Sequence, residues 1–331
     1  MKRWPKSTTS EQRRREQFPR DQMVTASAPG KIILLGEHAV VFGQTAISVA
    51  VDLRLRCNVE PSDKYMLNGQ QHSLRGHPYL CGAIRSYWKG GPLSVLTESD
   101  FPSGSGIGSS AAVTTSFLAA LRALQGKVPD EEWVARSAFE IESLAQGRAS
   151  PIDTSTSAHG KAIIIDAKER ENMLWHIKRD TREWYIHDCP VPEMTLVIGF
   201  TGISAPTGPL VAKVKRYADK NTFAREIIAE IGDISRDGIT CLKDNDRERL
   251  GRLMVRDHKL LAILGVSCNE LDKFINAVLP FSYGAKLTGA GGGGSMIALT
   301  DHPAHVAEII KNKGGTPFIV KTGVPGVKIE D

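Results

Sequence analysis

Pro102-Ser-Gly-Ser-Gly-Ile-Gly-Ser-Ser-Ala-Ala-Val-Thr-Thr-Ser-Phe-Leu-Ala-Ala-Leu-Arg-Ala-Leu124 joins two kinds of backbone. Between Gly104 and Gly108 every second residue is glycine, so the chain can turn tightly and come close to a ligand. From Ser109 onward the residues favour helix, and Ala112, Ser116, Ala119, Ala120 and Ala123 put small side chains on one face. A glycine loop that opens a helix gathers unpaired N–H groups and the positive end of the helix dipole at one point. Such a point binds phosphate. Ser109 and Ser110 fall in the first turn, where a hydroxyl reaches a phosphate oxygen or a bound Mg²⁺. The plain alternative is a glycine-rich turn with a serine cap, and the loop alone does not separate the two.

Two familiar phosphate loops fit poorly. A Walker-type loop ends in Gly-Lys-Ser/Thr, and this one has no lysine. A dinucleotide fingerprint needs a strand directly before the loop and a third glycine at its own spacing, and Pro102 and Ser109 speak against both. Other parts of the chain must supply what the lysine does elsewhere.

The 331 residues can hold two lobes or one large domain. No apolar run is long enough to cross a bilayer, and without an apolar h-region near the N-terminus no secretory leader is expected. A cytoplasmic protein without a membrane partner is expected. Cys57, Cys81, Cys189, Cys241 and Cys268 are odd in number and form no C-x-x-C pair, which argues against a disulfide framework or a zinc site. The net charge is +5, but residues 1–22 hold seven Lys/Arg against three Asp/Glu. The basic character therefore belongs to that stretch, read as a disordered tail, and not to the folded body. That argues against a nucleic-acid partner. Met23, just before the first strand, could be the true start.

Along the chain, residues 24–28 read as a strand, Pro29-Gly30 as a turn and 31–36 as a buried strand, with Glu37-His38 where the chain leaves it. Strands are predicted over 45–59, 93–97, 162–166, 195–200 and 316–322. Helices are predicted over 78–88, 109–124, 130–147, 207–219, 222–243, 246–263, 268–278 and 303–313. Asp130 is an N-cap with Glu131 and Glu132 in the first turn. Residues 168–193 are charged and read as irregular, so a lobe boundary is placed there, giving lobes 23–190 and 191–331. Strands and helices mix without a strict βαβ period, so the predicted class is α+β.

Four separated segments carry unusual chemistry: Pro29-Gly-Lys-Ile-Ile-Leu-Leu-Gly-Glu-His-Ala-Val-Val, the Gly104–Ser110 loop, Glu142 to Asp153 through Ala149-Ser-Pro-Ile-Asp, and Lys286-Leu-Thr-Gly-Ala-Gly-Gly-Gly-Gly-Ser. Together they resemble the GHMP kinase superfamily and, within it, the archaeal mevalonate kinase family, over nearly all of 24–328. Gly-Glu-His-Ala-Val-Val discriminates, because galactokinases look like Gly-Glu-His-x-Asp-Tyr here and phosphomevalonate kinases tend toward Gly-Glu-Tyr-Ala-Val. Phe42, where many relatives have His or Tyr, and His159-Gly160, in place of a frequent Gly-Gly, depart from the pattern.

The resemblance implies a two-lobed fold, with an N-terminal lobe of the ribosomal protein S5 domain 2-like type and a ferredoxin-like C-terminal lobe. It implies an ATP- and Mg²⁺-dependent phosphoryl transfer to the 5-hydroxyl of mevalonate. Gly104, Ser105, Gly106, Ile107, Gly108, Ser109 and Ser110 would wrap the ATP phosphates. Ser110 and Glu142 would hold Mg²⁺, a hydroxyl plus a carboxylate being a plausible shell once phosphate and water complete it. Asp153 would be the base and Lys31 its neighbour, offsetting charge on the transferring group. Glu37, His38, Ser150, Thr207 and Gly291 would face mevalonate. Taken singly, Glu142 reads as a solvated helix residue, Asp153 as a helix N-cap, Lys31 as a strand-edge lysine and His38 as a structural histidine. A homodimer is the expected assembly, though no residue pattern specifies it.

Overall fold

The computed structural model describes residues 22–71, 76–147, 150–204 and 207–330. The tail expected over 1–22 lies, but for Gln22, outside the described residues. So does Ala149 of the third segment.

Strand β1 (Val24–Leu35) pairs antiparallel with the longer β2 (Ala46–Pro61), and a 3-10 turn over Ala39–Phe42 lies between them. Pro29-Gly30 is not the expected turn. It is a register shift inside a continuous β1. A Cβ on Gly30 would stand 2.9 Å from Ile107 Cγ2, so the strand passes beneath the glycine loop only because this residue has no side chain.

A short hairpin, β3 (Met66–Leu67) and β4 (Gln70–Gln71), edges the sheet. Helix α1 (Pro78–Tyr87), strand β5 (Leu93–Ser99) and helices α2 (Ser109–Leu124), α3 (Glu131–Gln146) and α4 (Ile152–His159) follow. Strands β6 (Ala162–Asp166), β7 (Met173–Arg179) and β8 (Arg182–Asp188) complete this half, in the order β4-β3-β5-β2-β6-β8-β7 with β1 beside β2. The stretch 168–193, expected to be irregular, is largely the β7–β8 hairpin. Its buried Trp175, Ile177, Trp184 and Ile186 alternate with exposed or half-buried polar positions. The charge density of the outward face hid that period of two. Helix α2 lies on β1 and β2, with Ala112, Ser116, Ala119 and Ala120 fully buried; small side chains let helix and sheet approach closely. The Asp130 side chain accepts from Trp133 N at 2.9 Å, the N-cap expected for α3.

The second half runs through β9 (Thr195–Phe200), helices α5 (Thr207–Lys220), α6 (Thr222–Asp244), α7 (Arg247–Ile263) and α8 (Asn269–Val278), strands β10 (Gly284–Thr288) and β11 (Ser295–Leu299), helix α9 (Pro303–Asn312) and β12 (Thr316–Lys321). The four strands lie antiparallel in the order β10-β11-β9-β12. That order and the βαββαβ connectivity are those of a ferredoxin-like sheet. The last strand, β13 (Lys328–Ile329), returns to the first sheet and pairs with β1. The α+β class therefore holds. Cys57, Cys189, Cys241 and Cys268 are free thiols, and among the described residues no helix is long and apolar enough to cross a membrane.

His159, which breaks the expected Gly-Gly, ties α4 to its surroundings. Its Nδ1 lies 2.7 Å from Glu131 Oε2 and its Nε2 lies 3.1 Å from Asp188 Oδ1. Burial pulls the imidazole pKa down, but the two carboxylates outweigh it and the net shift is upward. A raised histidine contributes stability that is fully present below the unfolded pKa of about 6.5 and is lost as pH rises through the folded value. Both carboxylates are partly exposed, which limits the effect. We expect His159→Gln to lower stability by about 1 kcal/mol at pH 6 and by less at pH 9, read by urea unfolding. An equal loss at both pH values would deny the imidazolium this role.

Candidate active site

The glycine loop before α2 carries φ of +75° at Gly104, +82° at Gly106 and +80° at Gly108, a region other residues rarely adopt. Gly108 caps the helix, and a Cβ on it would lie 2.9 Å from both Cε and Cγ of Lys31. The lysine stem therefore passes directly against the helix start. Gly104, Gly106, Gly108, Ser109 and Ser110 line one cavity of about 200 Å³. Ser105 and Ile107, expected among the phosphate-binding residues, do not. The Ser105 hydroxyl turns inward and donates to Pro102 O at 2.8 Å, and Ile107 packs in the core. The three left-handed glycines turn the loop so that they face the cavity while the two residues between them face the protein interior.

Lys31 Nζ stands 2.9 Å from Asp153 Oδ1 on the wall of the same cavity. Asp153 occupies the first turn of α4, whose cap is Pro151, so it is not the N-cap that the segment alone suggested. Lys31 is buried in the middle of β1 and not exposed to solvent, and its backbone N–H donates to Ile107 O at 2.9 Å. Strand and glycine loop are thereby fixed together.

Glu142, near the end of α3, is buried and not solvated. Its Oε1 accepts from Ser110 Oγ at 2.7 Å. Burial first, and the nearby charge of Asp153 second, push its carboxyl up to about 7. Ser110 and Glu142 offer oxygen donors only, which suits a hard cation. A buried carboxyl raised by burial and by a like charge is what a divalent cation would relieve, so these residues fit Mg²⁺.

Of the residues expected to face the acceptor, His38, Ser150, Thr207 and Gly291 line the cavity. Glu37 does not. It is fully buried behind the wall and paired with Lys286 Nζ, which also donates to Leu287 O at 2.8 Å and lies 3.4 Å from Asp257 Oδ2. An unpaired carboxylate cannot be buried cheaply, and the lysine of the second sheet claims it. His38 has φ +61°, and its Nε2 lies 2.9 Å from Ala290 O. Burial lowers its pKa, so the ring is neutral and Nε2 carries the proton toward that carbonyl. Nδ1 has no partner among the described residues and can only accept.

Sequence reading left Lys286 and Asp257 without a role. The signal for Lys286 was a charge inside the apolar run Ala285-Lys-Leu, which needs a buried partner. Asp257 sits on α7 with no motif around it. Thr288 was also passed over: its hydroxyl accepts from Ile33 N at 3.0 Å, a buried tie between the two sheets. The loop after it carries positive φ at Gly289, Gly291, Gly292, Gly293 and Gly294 and faces the first glycine loop across the cavity. A neighbouring cavity shares Gly104, Ser109, Ser110 and Thr207 and adds an apolar wall of Leu55, Tyr79, Phe101 and Val113.

A cleft between a mixed sheet and a ferredoxin-like sheet, with a glycine-opened helix facing an ammonium–carboxylate pair, is the build of a small-molecule phosphotransferase. Comparison agrees on that class: GHMP kinases N terminal domain matches residues 78–161 and GHMP kinases C terminal matches residues 239–313. The mevalonate kinase of Pyrococcus furiosus is 34% identical, over 93% of this chain and 98% of its own. That of Archaeoglobus fulgidus is 33% identical, over 92% of this chain and 99% of its own. The chain belongs to the mevalonate kinase family of the GHMP kinases. The crystal structure of Methanococcus jannaschii mevalonate kinase superposes with a TM-score of 0.75 at 25% identity, covering 92% of this chain and 99% of that one. L. major mevalonate kinase in complex with R-mevalonate has the same fold, with a TM-score of 0.75 at 24% identity, over 91% and 96% of the two chains.

Proposed function

We propose that this protein transfers the γ-phosphoryl group of ATP to the 5-hydroxyl of mevalonate. The 2.9 Å Lys31–Asp153 pair beside the glycine-opened start of α2 carries this reading. The triphosphate lies against the loop N–H groups and the helix start, and the base occupies the apolar neighbouring cavity. The acceptor hydroxyl sits at Asp153, which orients it and takes its proton as the oxygen bonds to phosphorus. The bond from phosphorus to the bridging oxygen breaks, and ADP leaves with its electron pair. Lys31 offsets the charge on the equatorial oxygens. Ser110 and Glu142 hold Mg²⁺, which when bound neutralises charge on the nucleotide phosphates. His38 accepts from an acceptor hydroxyl through Nδ1, and Ser150, Thr207 and Gly291 complete that side. Lobes 23–190 and 191–331, with the terminal strand returned to the first, enclose the site in a cytoplasmic homodimer.

The nearest rival is a phosphomevalonate kinase. A second phosphate on the acceptor calls for extra cations, yet residues 37–49 hold no Lys or Arg. Among the described residues lining the main cavity, Lys31 is the sole permanent cation. The test is an ATP-coupled assay across mevalonate, phosphomevalonate, galactose and homoserine. Turnover is expected with mevalonate alone. Faster turnover of another acceptor would replace this reading.

A further inference from the structure

We infer that Ser295 is a positioning residue that sets which way the phosphate loop presents its amide groups. The inference rests on the reading of Gly104–Ser110 as the nucleotide site. A trans peptide plane points its carbonyl and the following N–H in opposite directions. Two carbonyls of this loop are held by strands packed against it, one from each sheet. Ile107 O accepts from Lys31 N at 2.9 Å, and Ser105 O accepts from Ser295 Oγ at 2.6 Å. The N–H groups of Gly106 and Gly108 then point away from β11 and β1, and both glycines line the cavity.

Glycines at 104, 106 and 108 make this loop easy to reverse. With no Cβ, a peptide can flip and present its carbonyl to the phosphates. An outward carbonyl would repel them. The external hydrogen bond therefore decides between an anion-binding loop and an anion-repelling one. At Ile107 the donor is a backbone amide of β1, fixed by the sheet. At Ser105 it is one side-chain hydroxyl.

That hydroxyl is itself well anchored. Ser295 is fully buried, opens β11, and pairs with Thr288 on one side and Phe200 on the other. No solvent competes for its proton. A Cβ on Gly106 would lie 3.7 Å from Ser295 N, so loop and strand meet backbone to backbone. The second sheet thus sets the phosphate loop of the first without touching the nucleotide.

The test uses the full chain and measures binding of ATP and of adenosine by calorimetry without acceptor. It adds steady-state kinetics with mevalonate. Ser295→Ala is expected to weaken ATP binding about tenfold, to raise KM for ATP in step, and to leave adenosine binding and KM for mevalonate unchanged. Adenosine has no phosphates, so loss of general structure would weaken both ligands. Ser235→Ala removes a comparably buried hydroxyl, bonded to Ile231 O within α6, and is expected to change neither. Should Ser295→Ala not fold, Ser295→Cys keeps a weak donor, and ATP binding is expected to fall to an intermediate value with adenosine unaffected. Unchanged ATP binding in a folded variant overturns the inference, as does an equal loss for ATP and adenosine. Because binding is read without acceptor, these outcomes are separate from failure of the mevalonate reading. A wild-type chain that does not bind ATP would remove both.

Discussion

Replacing Asp153 with asparagine is expected to lower kcat by about 10²–10⁴-fold while ATP binding is retained. The carboxylate lies 2.9 Å from Lys31 and faces the cavity next to Ser110 and Glu142. Asparagine keeps the shape but loses the negative charge. Its oxygen can still accept from a hydroxyl, but its amide would then turn two N–H groups toward the buried ammonium. The variant cannot both orient the acceptor and pair with Lys31. A loss near the lower end means that Asp153 mainly positions the oxygen. A loss near the upper end means that it also removes the proton. Steady-state turnover and calorimetric ATP binding separate these from simple unfolding. Undiminished turnover would take Asp153 out of the mechanism.

The second large effect concerns stability. Lys286→Met is expected to destabilise the protein by about 3–5 kcal/mol near neutral pH, because it leaves Glu37 and Asp257 buried without a counter-charge. All three side chains are fully buried. Burial is the largest influence on Glu37 and pushes it up to about 8, with Lys286 opposing and Asp257 adding to the rise. Asp257 is raised in the same way. One ammonium thus serves two carboxyls. The folded state holds protons that the unfolded chain has released by neutral pH, so this cluster costs stability as pH rises from about 4.5 to 8. Without the lysine both carboxyls must be protonated to stay buried. The deficit of Lys286→Met should therefore shrink at pH 5 and grow at pH 8, read by urea unfolding at each pH. A loss independent of pH would show that packing, and not charge, sets the role of Lys286.

Much of the molecule was legible in the amino-acid order because its signals are local. The glycine alternation, the helix that follows it, the Asp130 cap and the buried run Ala162–Asp166 depend on near neighbours in the chain. The β7–β8 hairpin was not legible, since its outward charges hid the inward Trp and Ile positions. Several cavity-lining residues were legible by motif, but the way each side chain turns was not. Glu37 stands next to His38 in the chain, yet one turns behind the cavity wall and the other onto it.

Residue order alone was enough for the α+β class and for the glycine loop that opens a helix, and it supplied Lys31, Asp153, Ser110 and Glu142 as chemical groups. Packing of the two halves settled which of these share a wall, that Lys286 pairs with Glu37 behind that wall, and that Ser295 holds the Ser105 carbonyl. The reason is distance along the chain. Backbone propensity and capping act over a few residues. A buried ion pair between residues 37 and 286, or a hydroxyl reaching from 295 to 105, exists only once the two sheets have packed and excluded water between them.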